Sequence, residues 1–241
     1  MNVLTFPSNE ELNEAAAGLL TATLHQKANA VLGLATGSTP IGVYEKLVEF
    51  YKKGRVSFQS ATTFNLDEYV GLPRDHAESY YTFMNTRLFQ HIDLPEANAH
   101  IPDGHADDPQ QECERYDRMI GQAGGIDVQI LGIGHNGHIG FNEPGDTLQS
   151  ATHLIELHEE TRKANARFFA SIDEVPTKAI TVGLGTIMKS KSILLLARGS
   201  DKAEIMRRAL RGPIDPQCPA SFLQLHPQLI VMTDSEAGRL L

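Results

Sequence analysis

The sequence has 241 residues, 41% of them hydrophobic, with a formal charge of −9 and two cysteines. A chain of this size and apolarity can bury a substantial core as one domain spanning 1–241 without disulfides or metal, and its acidic balance argues against nucleic acid as a partner, because phosphate backbones are held by clustered Lys and Arg. Cys113 and Cys218 are far apart with no CxxC spacing, the first residues reach Glu10 and Glu11 without a basic leader, and no apolar run approaches the roughly twenty residues of a membrane span; a cytoplasmic protein with no membrane partner is expected.

In chain order, short apolar runs alternate with longer amphipathic stretches. A strand is predicted over 3–6 and a helix over 9–26, then a strand over 30–35 that runs into Leu34-Ala-Thr-Gly-Ser-Thr-Pro40 before a helix over 40–53. At that junction Gly37 allows close backbone approach, Ser38 or Thr39 can cap, and Pro40 suits a first helical turn. Free N–H groups and the positive end of a helix dipole then converge on a phosphate-sized point, although an ordinary capped turn has the same composition. The Lys of a P-loop is missing.

The third strand, over 61–65, emerges into Asn65-Leu-Asp-Glu-Tyr69. Adjacent carboxylates at a strand end repel one another, and partial burial raises the pKa of at least one, which suits a general base; the alternative is a capped turn with a solvated Glu68. Helices are predicted over 80–90 and 109–121, and a strand over 128–132 leads into Gly132-Ile-Gly-His-Asn-Gly-His-Ile-Gly-Phe-Asn-Glu-Pro-Gly145. This segment matches GxGxxG formally, but Gly140, Pro144 and Gly145 interrupt the helix that a dinucleotide site needs. What it does hold together is Asn136, His138 and Glu143, a histidine beside a carboxylate on a loop whose glycines let it wrap a ligand. His135 and His138 on an irregular loop have no fixed metal geometry, so no metal is expected.

The stretch over about 146–177 is the least regular and is expected to pass over the sheet edge as a lid, with a helix over 159–169 that carries Arg167. Strands over 179–183, 193–197 and 229–233, a helix over 201–210 that begins beside Lys202, and a helical tail from 234 complete the pattern. Seven predicted strands are placed in one mostly parallel sheet with helices on both faces, an α/β fold whose ligands sit outside the carboxyl ends of the strands. Arg167 and Lys202 are the cations placed to reach a phosphate at the Gly37 loop. A phosphate cradle, a carboxylate base and a His-carboxylate relay on one edge fit proton transfer next to a carbonyl, as in aldose-ketose isomerisation.

Six segments, Gly33-LATGSTP, Phe64-NLDEYVGLP, Glu78-SYYTFM, Gly132-IGHNGHIGFNEPG, Asn165-ARFF and Ala220-SFLQLH, together resemble the glucosamine-6-phosphate deaminase family over essentially the whole chain. The resemblance implies a single-domain Rossmann-like sheet and a reaction without cofactor or metal, from D-glucosamine 6-phosphate and water to D-fructose 6-phosphate and ammonia, in amino-sugar catabolism. It implies that Asp67 takes the C2 proton and delivers it to C1, that His138 opens the ring with support from Glu143 and Asn136, and that Glu68 assists. Thr36, Gly37, Ser38, Thr39, Arg167 and Lys202 take the phosphate-binding roles. Some members have aspartate where this chain has Asn136, so the relay here carries one fewer negative charge. His153 and Ile155 stand where longer allosteric hexamers carry basic residues, and the sequence ends at Leu241. A short, non-allosteric form is therefore expected, either a monomer or a small homo-oligomer.

Overall fold

The computed structural model describes residues 1–241 except 167, 168 and 170, and only the backbone of residues 160, 164 and 165. The chain opens with β1 (Asn2–Phe6) and α1 (Asn9–Gln26). The Ser8 hydroxyl caps α1 by accepting from Glu11 N at 3.2 Å, and Leu12, Ala16, Leu20 and Leu24 recur every four residues to make its buried face. β2 (Val31–Leu34), α2 (Ile41–Lys52) and β3 (Thr62–Asn65) follow, and after Leu66 the chain continues as β4 (Asp67–Tyr69). α3 (Tyr80–Arg87) and the short β5 (Ala99–His100) lead to α4 (Pro109–Gln122), where Asp108 caps the N–H groups of Gln110 and Gln111 and Cys113, Tyr116 and Ile120 face inward. Then come β6 (Val128–Leu131), β7 (His153–Glu156), α5 (Glu159–Asn165), β8 (Lys178–Thr181), α6 (Leu184–Met188), β9 (Ser192–Ala197), α7 (Ala203–Arg211) and β10 (Leu229–Asp234).

Seven strands form one sheet in the order β1-β10-β9-β6-β2-β3-β5, and every neighbouring pair is parallel. β2, β6 and β9 have every residue buried except Ser192 at the start of β9, as expected for strands covered on both faces. From β2 the chain moves outward to β3 and β5, and then resumes with β6 on the other side of β2. The order reverses between β2 and β6, so the loops leaving these two strands flank a crevice at their carboxyl ends, where α/β sheets bind ligands.

A second, three-stranded sheet, β4-β8-β7, is antiparallel throughout. It begins where β3 bends at Leu66: the Leu66 N–H still bonds to Leu34 O of the main sheet at 3.1 Å, while its carbonyl accepts from Val182 N at 2.7 Å on the β8 side. Here the sequence expectation needs correction. The strand predicted over 179–183 joins this smaller sheet, where it pairs with β4 and β7; it is buried on both faces, so its residues read like a central strand of the main sheet. Its expected place in the seven is taken by β5, which at two residues is too short to show a pattern. The tail is also not helical: residues 235–240 are turns anchored on Asp234, and so short a stretch cannot repay helix nucleation.

Candidate active site

Asp67 sits on the bend between the two sheets, opposite Thr181 of β8. It is 6% exposed, and burial, reinforced by the charge of Glu68, pushes its carboxyl up to about 8. Glu68 is the next residue of a strand, so its side chain leaves on the opposite face. There it accepts from Tyr69 N at 2.8 Å and from Tyr80 N and Tyr81 N at 3.0 Å each, which ties β4 to the first turn of α3. Burial raises the Glu68 carboxyl despite these three bonds. The structure therefore does not bring Glu68 into the cleft beside Asp67; its influence there is electrostatic.

The loop after β6 forms no helix, so the formal GxGxxG is not a dinucleotide fingerprint. Gly134 N bonds to His138 O at 2.9 Å, and Gly137 and Gly140 take positive φ of 92° and 58°. Gly134 is required by contact, because a Cβ there would lie 2.2 Å from His138 Cε1 and 2.4 Å from both ring nitrogens. The ring is thus packed against backbone. Asn136 Oδ1 accepts from His138 N at 3.1 Å and faces His138 Nδ1 at 2.7 Å, while Asn136 Nδ2 donates to Glu143 Oε2 at 2.8 Å. A carboxylate and a main-chain N–H fix which end of the amide is oxygen, so Nδ1 must be the donor and Nε2 is the nitrogen left for chemistry.

Glu143 Oε2 also lies 3.4 Å from His138 Nδ1 and 3.9 Å from His158 Nδ1, and Thr161 of α5 donates to its other oxygen. Burial pushes the Glu143 carboxyl up, but His138, Thr161 and Asn136 outweigh it and hold the group at about 2.

Thr36, Gly37, Ser38 and Thr39 line a cleft of about 640 Å3 together with Asp67, His138, Thr161, Arg198 and Lys202. Gly37 has φ +91°. Neither Ser38 nor Thr39 caps α2: the N-cap position is Pro40 and no side chain bonds to the first N–H groups. Arg167 lies outside the described residues. Among those described, no group of three His, Cys, Asp or Glu side chains is arranged to hold a metal ion.

Neither Thr161 nor Arg198 stands out in the sequence. A threonine within an amphipathic helical stretch carries no signal of its own. Arg198 precedes the Gly199-Ser-Asp-Lys202 segment, in which the sequence pattern points to Lys202 alone.

Fold and site together define a Rossmann-like α/β enzyme with a cleft lined by Asp67 and His138 at the carboxyl edge of a parallel sheet. More narrowly, the chain belongs to the family of glucosamine-6-phosphate isomerases and 6-phosphogluconolactonases, whose model matches residues 7–231. It is 53% identical over 232 residues to a glucosamine-6-phosphate deaminase of Lachnoclostridium phytofermentans, covering 96% of this chain and 98% of the other. A deaminase of Bacillus velezensis is likewise 53% identical over 238 residues, covering 99% of each chain. A solved structure described as a monomeric glucosamine-6-phosphate deaminase superposes with a TM-score of 0.97 at 50% identity over 100% of both chains. The 6-phosphogluconolactonase of Thermotoga maritima, at 23% identity and TM-score 0.76 over 96% of this chain and 97% of that one, shares the fold.

Proposed function

We propose that this chain converts D-glucosamine 6-phosphate and water to D-fructose 6-phosphate and ammonia, and that Asp67 and His138 move the protons. The observation that carries this reading is the pairing, in one cleft, of a buried carboxyl raised to about 8 with a histidine whose Nδ1 is committed, leaving Nε2 for chemistry. Names of relatives about half identical over the full chain support the same reaction.

The ring of the substrate opens when His138 Nε2 accepts the anomeric hydroxyl proton and returns a proton to the ring oxygen. Asn136 and Glu143 hold the imidazole in register, and Glu143 stays ionised beside the imidazolium that forms transiently. Asp67 then removes the C2 proton and delivers it to C1, while a proton passes from the substrate nitrogen to the C1 oxygen, which turns the 2-ammonio aldehyde into an iminium at C2 with a hydroxyl at C1. Water adds there and ammonia leaves. The substrate enters as an ammonium, and its charge near Asp67 lowers the carboxyl from its resting value towards the ionised form the step needs. Thr36, Gly37, Ser38, Thr39, Arg167 and Lys202 hold the phosphate at the loop that leads into α2. Thr161, in the segment over 146–177, lines the cleft and donates to Glu143. The monomeric state of the structural relative supports a monomer here, and no helix among the described residues is long and apolar enough to cross a membrane.

The test is release of ammonia and fructose 6-phosphate from glucosamine 6-phosphate by wild type and Asp67→Asn. Wild type should produce both in equal amounts, and the variant should lose about 100- to 10,000-fold in rate. No ammonia from wild type sinks the reaction; an unimpaired variant sinks the base.

A further inference from the structure

Arg198 stands where β9 leaves the main sheet, on the far side of β6 from the loop that follows β2. To touch that loop its side chain must cross two strand spacings, about 10 Å. It does so: Nη2 donates to the carbonyl of Ser38 at 2.6 Å. The root of the side chain is also held, because the next N–H, that of Gly199, bonds to Asp234 Oδ2 at 2.9 Å, and Gly199 takes φ +91° to turn the chain towards Lys202. One turn therefore sends two cationic residues, Arg198 and Lys202, into the cleft that contains Thr36 to Thr39.

The charges around this cleft make a second cation consequential. Asp67, Asp201 and Asp234 also line it, and an incoming phosphate brings up to two negative charges of its own. The Ser38 carbonyl adds a negative dipole end at the rim, which by itself would repel an anion. A guanidinium on that carbonyl covers it and still has planar N–H donors to offer, in the fork that matches phosphate oxygens. We propose that Arg198 is a phosphate-binding residue of this cleft, spanning from the β9 turn to pin the Ser38 loop while it donates to the phosphate of the sugar phosphate. This rests on the phosphate site of the proposed function and adds to it a second cation from the turn that carries Lys202.

The experiment measures binding of inorganic phosphate and of fructose 6-phosphate to the intact protein by calorimetry, alongside kcat and KM for deamination. Arg198→Met keeps the length of the stem and removes the fork; Arg198→Lys keeps the charge but cannot serve carbonyl and ligand together. Arg198→Met should weaken both ligands about ten- to a hundredfold and raise KM in parallel, with kcat within about threefold, and Arg198→Lys should fall between. Affinities equal to wild type, or a loss in kcat with phosphate affinity unchanged, would overturn the proposal and leave Arg198 a strut. Should Arg198→Met fail to fold, Arg198→Lys decides on the same readings. Wild type that binds both ligands but releases no ammonia would defeat the reaction and leave the phosphate arms to judge Arg198; wild type that binds neither would defeat both.

Discussion

Asp67 and Glu143 each show only 6% of their surface to solvent, yet they are driven to opposite ends of the carboxylate range, about 8 and about 2. Around Asp67, burial and the neighbouring Glu68 act in the same direction. Around Glu143, burial is opposed by donors from three side chains, Asn136, Thr161 and His138. Burial alone therefore does not decide the protonation of a carboxyl; the donors arranged around it do. The two groups suit different tasks. A carboxyl held protonated at rest can cycle a proton, whereas one held ionised is a fixed counter-charge for an imidazolium.

The largest effect of a substitution at either carboxyl is expected at Glu143. Glu143→Gln keeps the shape but loses the charge and one acceptor: with its oxygen towards Asn136 Nδ2, its NH2 faces the Thr161 hydroxyl, which must turn round to accept. kcat/KM should fall about 100-fold or more, with fructose 6-phosphate affinity little changed because the phosphate set is untouched. A drop in affinity that equals the drop in kcat/KM would mean that Glu143 only supports the loop.

A smaller effect tests the two shifts as linked to stability. The depressed pKa of Glu143 stabilises the fold above the unfolded carboxylate value near pH 4 to 5, and that contribution is lost as pH falls towards 2. The raised pKa of Asp67 acts the other way: its contribution is complete below about pH 4 and is lost as pH rises through about 8. Thermal melts should accordingly show Asp67→Asn gaining on wild type between pH 5 and pH 9, by about 1 to 3 kcal/mol after allowance for relaxation of the buried site, while Glu143→Gln loses most near neutrality and least in acid. Parallel pH curves for the two variants would contradict the contrast.

Most of this site was legible in the sequence because function follows strand ends. The buried runs of β2, β3 and β6 are unmistakable, and the residues that come after them, Thr36 to Thr39, Asp67, and Asn136 to Glu143, are the ones the switch point gathers. Glu68 shows the limit of such reading. Its position next to Asp67 suggested a shared site, but once 67–69 is a strand, the two-residue period sends neighbours to opposite faces. That strand is only three residues long and pairs with β8, a partner more than a hundred residues away, so nothing local announced it. β5 escaped for the same reason. Arg198 and Thr161 act by reaching across the fold, one over β6 and one from α5, and such reach leaves no trace in spacing.

The most direct test of the account is the titration of Asp67 itself, followed by the carboxyl carbon resonance of labelled aspartate in the ligand-free protein and assigned by its disappearance in Asp67→Asn. The account predicts a midpoint near pH 8 that moves down when an amino-sugar phosphate occupies the cleft. A midpoint near 4, in the ordinary aspartate range, would contradict it.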